Sequence, residues 1–69
     1  MYKWKIGLIL KSGKELTVYH ECNESNSADV ARKILVGDMN SMNGFNNKRN
    51  TENIYVRLGE IASASISEA

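Results

Sequence analysis

The stretch YKWKIGLILKSGKELTVYHEC, residues 2 to 22, contains the pattern that decides the fold. Its first half alternates, with Trp4, Ile6 and Leu8 on one side and lysines on the other, and its second half alternates in the same way from Glu15 to Cys22. Alternation with a period of two indicates strands with one buried face. Since Ser12-Gly13 fits a two-residue turn between the two runs, the stretch predicts a β-hairpin.

A short helix is predicted after this hairpin, over residues 28 to 36. Ser27 is a suitable N-cap, and Asp29 in the first turn favours the positive end of the helix dipole. An apolar stripe at helical spacing follows, and Gly37 stands where a left-handed residue ends a helix. Because so short a helix is unstable alone in water, we expect it to pack on the sheet.

An asparagine-rich segment occupies residues 38 to 53 and has no regular pattern. Six of the fourteen residues in NSMNGFNNKRNTEN, residues 40 to 53, are asparagine. Three interpretations are open. The segment is a partly ordered hairpin-like excursion in which Met39, Met42 and Phe45 close the core, a mobile loop, or a surface that contacts a partner. The first is favoured, because Asn and Gly suit linked turns.

Two further strands are predicted at the end of the chain. Residues 54 to 58 alternate, Gly59-Glu60 indicates a turn, and Ile61 begins a run in which alanine and isoleucine alternate with serine. The order ββαββ predicts a single α+β domain over residues 1 to 69, with a four-stranded antiparallel sheet and one helix on one of its faces.

Length and composition exclude several classes of protein. The chain has 69 residues, a formal charge of +1, one Cys and no Pro. So short a chain has a thin core, and small domains often add a disulfide, a metal or a second subunit for stability. One Cys makes no internal disulfide and a metal lacks ligands, so a second subunit is the remaining means. A charge near zero argues against a DNA mimic and against binding by phosphate contacts alone. The absence of an apolar run of about 20 residues argues against a membrane span. The lone Cys and the absence of a secretory h-region predict a reducing, cytoplasmic setting.

No residues with the pattern of a catalytic, cofactor or metal site are found. His20 and Cys22 lie two apart on one strand face, and a metal would need more ligands of their kind than the chain has. Their Cα atoms are about 7 Å apart, which is not the geometry of an activated thiol. We therefore expect a protein that is not an enzyme and that binds no cofactor and no metal.

The outward face of the predicted sheet is the candidate contact surface. It combines aromatic, apolar and cationic side chains, which suit contacts with a second subunit or, less favourably, stacking of single-stranded nucleic acid. The same pattern is also found on exposed strand faces that contact no partner, so this interpretation stays open. The candidate face consists of Lys3, Lys5, Ile9, Tyr19, Tyr55 and Arg57, and candidate loop contacts are Phe45, Lys48 and Arg49.

The whole order of elements resembles that of small uncharacterised proteins encoded by phages and prophages of Gram-positive bacteria. The segments that carry the resemblance are YKWKIGLILKSGKELTVY, SADVARKILVG and the closing IYVRLGEIASASISE. The last also resembles the strand-turn-strand ending of Sm-like RNA-binding rings, from which the chain differs by having its helix between the hairpins. The phage resemblance implies an accessory binding role. The prediction is a self-associating binding module, most simply a homodimer with a further protein partner.

Overall fold

The computed structural model describes residues 1–69, which form five strands and one helix. The fold is α+β with an antiparallel sheet, as predicted, but the sheet has five strands instead of four. The elements in chain order are β1 (Tyr2–Leu10), β2 (Glu15–Cys22), α1 (Ser27–Ile34), β3 (Met42–Asn46), β4 (Asn53–Arg57), a 3₁₀ turn (Leu58–Glu60) and β5 (Ile61–Glu68).

The first hairpin has the faces that its alternation predicts. Ile6 pairs with Val18 and Leu8 with Leu16. Trp4 is 4% exposed, so the tryptophan side of β1 faces the core and the lysine side faces outward. The turn is one residue longer than predicted. The Leu10 amide donates to the Lys14 carbonyl at 2.8 Å, which leaves a three-residue loop that ends at Gly13 with φ +90°.

Helix α1 is shorter at its carboxyl end than predicted and starts one residue earlier. Asn26, instead of Ser27, is the N-cap, and its side-chain oxygen accepts from the Ala28 amide at 2.8 Å. The helix ends at Ile34, and Val30 and Ile34 are its buried residues. The indole N–H of Trp4 donates to the Glu24 carbonyl at 3.0 Å, which ties the β2–α1 connection to the core.

The asparagine-rich segment forms the extra strand and a structured turn. Phe45 pairs with Ile54 and Asn43 with Val56, so β3 and β4 are a hairpin. Within the turn, the Asn47 side chain accepts from the Thr51 amide at 2.9 Å and donates to the Thr51 hydroxyl at 2.8 Å. Asn50 takes a left-handed conformation with φ 56°, which asparagine tolerates better than most residues. The hairpin-like interpretation of this segment is therefore the one that the structure supports.

The sheet is strongly curled. Its strand order is β4-β3-β2-β1-β5, so β4 and β5 are the two outer strands, although only the 3₁₀ turn separates them in the chain. Four strand spacings of about 4.8 Å would hold the edges of a flat sheet about 19 Å apart. The chain from Arg57 to Ile61 spans at most about 14 Å. The sheet must therefore bend into a half-open barrel, and α1 packs near β5 at the inner side.

The core lies inside this curl and is small. Eight residues are buried, and all of them are apolar. They come from four of the strands and from the helix: Trp4, Ile6, Leu8, Val18, Val30, Ile34, Phe45 and Val56. Phe45 closes the core as expected, but Met39 and Met42 are exposed, which corrects the expectation that they would close it too.

The Asn47→Ala variant should lower the free energy of unfolding by about 1–2 kcal/mol, because two hydrogen bonds of the β3–β4 turn are lost. Urea unfolding followed by tryptophan fluorescence measures the change. The control is Asn40→Ala, because the Asn40 side chain makes no hydrogen bond. Equal stability of Asn47→Ala and the control would contradict a structural role for the turn.

Candidate protein-contact surface

The cationic part of the predicted face surrounds Tyr19. Lys5 lies directly opposite Tyr19 in the β1–β2 ladder. The Lys3 ammonium nitrogen lies 5.5 Å from the centre of the Tyr19 ring, within cation–π range, and donates to the Lys48 carbonyl at 2.7 Å. The β3–β4 turn therefore folds back toward this face, and Tyr19 is half-buried beneath its neighbours.

The other members of the predicted face lie elsewhere on the sheet. Tyr55 on β4 packs over Gly44, where an added Cβ would lie 3.1 Å from a ring carbon. Arg57 is beside it on the same edge strand and pairs with Met42. Ile9 faces outward near the opposite edge, between Glu15 on β2 and Ser63 on β5. The curl thus separates the predicted face into a Tyr19 group, a Tyr55–Arg57 group and an isolated Ile9.

Of the three predicted loop contacts, two are at the surface. Lys48 and Arg49 are exposed in the β3–β4 turn. Phe45 is 2% exposed and belongs to the core, so the structure corrects its assignment as a partner contact. The physical reason is pairing: β3 extends to Asn46, and Phe45 opposite Ile54 points into the curl.

Exposed apolar side chains are also frequent in the segment between the end of α1 and the start of β3. We call these four side chains the α1–β3 patch, and they belong to Leu35, Val36, Met39 and Met42. Val36 is 63% exposed and Met39 is 65% exposed. The sequence interpretation missed the patch because it extended α1 to residue 36 and turned both methionines inward. The available signal was two methionines within a polar segment that has no helical or strand period.

The α1–β3 patch is held in place by hydrogen bonds. The Asp38 carboxylate accepts from the Asn40 amide at 2.9 Å and from the Ser41 hydroxyl at 3.3 Å. The 3₁₀ turn adds two backbone bonds: the Gly59 amide donates to the Met39 carbonyl at 3.0 Å, and the Leu58 amide donates to the Ser41 carbonyl at 2.8 Å. The backbone of the patch is therefore ordered, so binding costs little backbone entropy.

A shallow, open depression of about 340 Å³ lies on the outward face of β2, β1 and β5. Its floor is Gly7, where an added Cβ would lie 2.9 Å from the Ser65 hydroxyl. Its lining includes the hydroxyl side chains of Thr17, Ser63 and Ser65, the bulkier Ile9 and Leu16, and Glu15 as the charged residue. The outward face is therefore low at Gly7 itself, while the exposed Ile9 lies opposite Ser63 of β5.

His20 and Cys22 lie on the inner side of β2 and are half-buried. No group of three or more His, Cys, Asp or Glu residues is placed to hold a metal ion. Burial lowers the pKa of His20 below its usual 6.5, and the nearby Lys33 ammonium lowers it further. The fold thus favours the neutral imidazole at His20.

Comparison with known proteins gives no relative: no protein-family model, curated protein or solved structure matches the chain. The helix α1, at eight residues, is too short to cross a membrane.

The free energy of unfolding should fall as the pH is lowered from about 7 to about 5, partly because of His20. Its pKa is lower in the folded state than in the unfolded state, so the unfolded chain binds a proton first and protonation favours unfolding. In His20→Gln this part of the pH dependence should be absent, as measured by urea unfolding at a series of pH values. An unchanged slope between pH 7 and 5 would contradict the lowered pKa.

Proposed function

We propose that this protein is a non-enzymatic binding module that acts through protein–protein contacts and forms a homodimer. The observation that supports the proposal is the distribution of apolar side chains. Eight large hydrophobic side chains are exposed, as many as are buried. Single exposed hydrophobic residues are ordinary, but grouped ones mark interaction sites. Four of the eight exposed residues lie between positions 35 and 42, in the α1–β3 patch.

The chemistry of the patch suits an apolar protein surface as its partner. Methionine is flexible and polarisable, so Met39 and Met42 adapt to different apolar shapes. The only charged residue within the segment is Asp38, and its carboxylate is engaged by Asn40 and Ser41. A partner would therefore meet mainly hydrocarbon and thioether groups, beside one carboxylate that already accepts two hydrogen bonds.

The biological setting of the proposal comes from the sequence. The element order resembles that of small phage and prophage proteins, which supports an accessory role of that type. A single unpaired cysteine supports a reducing, cytoplasmic setting. The thin core of eight buried residues supports self-association, because a domain of this size gains much of its stability from further burial.

Sedimentation velocity over a range of protein concentrations should show a dimer. The physical reason is the thin core of eight buried residues, which leaves a chain of 7.7 kDa in need of further burial. A single species of monomer mass at the highest concentrations would reject self-association.

The double variant Val36→Ser with Met39→Ser should weaken partner binding at least about tenfold, since full burial of one such side chain contributes about 1.5–3 kcal/mol. Tagged wild-type and variant proteins are compared for retention of the same stoichiometric partner from host extract, with subsequent titration. The matched control is Ile9→Ser, an exposed apolar residue outside the patch. Equal retention by all three proteins would reject the patch as the contact.

The alternative function is weak binding of single-stranded nucleic acid through the Tyr19 group. Lys3 and Lys5 beside an aromatic ring are the observation that favours it. Lys3 is already engaged with Tyr19 and the Lys48 carbonyl, which leaves less of this group for a base. An oligonucleotide titration in rising salt tests the alternative, because affinity from phosphate contacts must fall steeply. No binding at low salt removes it.

A further inference from the structure

We infer that the homodimer forms by antiparallel pairing of β5 with β5 of a second copy, which joins the two sheets across a twofold axis at Ser65. This inference rests on the proposed self-association and names the surface that carries it. Alternate residues of β1 and β5 point their backbone groups toward each other. The Ala69 amide donates to the Lys3 carbonyl at 3.1 Å, and the Lys11 amide donates to the Glu60 carbonyl at 2.8 Å. Odd-numbered residues of β1 therefore point their backbone groups toward β5.

The same alternation determines which backbone N–H and C=O groups of β5 have no hydrogen-bond partner. Ser63, Ser65 and Ser67 lie opposite Ile9, Gly7 and Lys5 and are the hydrogen-bonded pairs. The intervening Ala64 and Ile66 then point their N–H and C=O groups away from β1. No other strand pairs with β5, and no hydrogen bond from another part of the chain reaches these groups. They form an open edge.

This edge lacks the features that normally prevent pairing. Edge strands are usually protected by being short, by charged side chains, by proline or by a covering element. β5 is eight residues long, and IASASIS, residues 61 to 67, has neither charge nor proline. The opposite edge strand, β4, is five residues long and carries Arg57 and the bulky Tyr55. Because β5 is the longer and less protected of the two edge strands, a second copy is expected to pair with β5 instead of β4.

One twofold register of β5 joins its free groups to each other. The β1–β5 register shifts beyond Ile9, so the regular part of the open edge carries its free groups on even-numbered residues from Ala64 onward. With Ser65 on the twofold axis, Ala64 faces Ile66 of the second copy, and both residues exchange backbone hydrogen bonds in both copies. With Ala64 on the axis, Ile66 would face Ala62, which lies in the irregular part of the ladder. The Ser65 register therefore keeps these pairs on regular strand.

A second copy fits this edge better than a flat apolar surface would. Its main attraction is backbone hydrogen bonding, and the small serine and alanine side chains let another strand approach closely. The low outward face around Gly7 offers no obstacle. Twofold pairing uses both open edges at once, so the assembly closes at two chains and does not grow into fibrils. The α1–β3 patch stays free on each subunit.

Disulfide trapping tests the inference, in a Cys22→Ser background so that no other thiol is present. Across the axis, the Ser65 positions of the two copies form a non-hydrogen-bonded pair, about 4.5 Å apart at Cα, a distance that a disulfide spans. Ser65→Cys should convert to covalent dimer under mild oxidation. Ser63→Cys alone should not, because its counterpart lies about 13 Å away. An equimolar mixture of Ser63→Cys and Ser67→Cys should give the heterodimer.

A charge variant gives an independent measurement. Ser65→Lys places two ammonium groups opposite each other at the axis and should convert the dimer to monomer in sedimentation velocity. Thr17→Lys adds the same charge to the exposed face of β2 and should leave the dimer intact. A wild-type dimer that Ser65→Cys does not trap and Ser65→Lys does not dissociate would overturn the β5 assignment while self-association stands. A wild-type monomer would overturn both.

Discussion

The structure depends on β1, which pairs with β2 on one side and with β5 on the other while its inner face forms the centre of the core. Trp4, Ile6 and Leu8 are all buried on this face. Pairing of β1 with β5 places the last strand of the chain beside the first. Because only three residues join β4 to β5, this pairing also forces the sheet to curl.

The curl explains both the small core and the exposed apolar residues. A strongly bent sheet encloses little volume, and one short helix fills its open side with Val30 and Ile34. The side chains that follow the helix remain at the surface, and hydrogen bonds of Asp38 and of the 3₁₀ turn order their backbone. An exposed apolar patch in a fixed conformation is a consequence of this geometry, and it is the feature on which the proposed binding function depends.

The curl also divides the surface that the sequence predicts as one face. Residues on alternate positions of different strands share a side of a sheet, so Lys5, Ile9, Tyr19 and Tyr55 all point outward as expected. On a flat sheet they would form one surface. On this sheet the Tyr19 group is partly covered by the β3–β4 turn, and Tyr55 packs over Gly44 at the far edge. Two other surface features remain for the proposed contacts, the exposed apolar side chains of the α1–β3 patch and the open edge of β5.

The sequence by itself determined the first hairpin, its buried face, the presence of one helix and the α+β class, because these follow from local periodicity and turn chemistry. It left the partner strand of β5 undetermined, since pairing between distant segments has no local signal. The fifth strand was hidden because MNGFN contains one large apolar side chain at an inward position, and Asn and Gly favour turns when judged alone. Tertiary structure decided that Phe45 is core, that Met39 and Met42 are surface, and that β5 ends the sheet. Pairing with β4 sets the sides of Phe45 and Met42, the contacts of Asp38 and the 3₁₀ turn hold Met39 at the surface, and pairing with β1 alone makes β5 an edge.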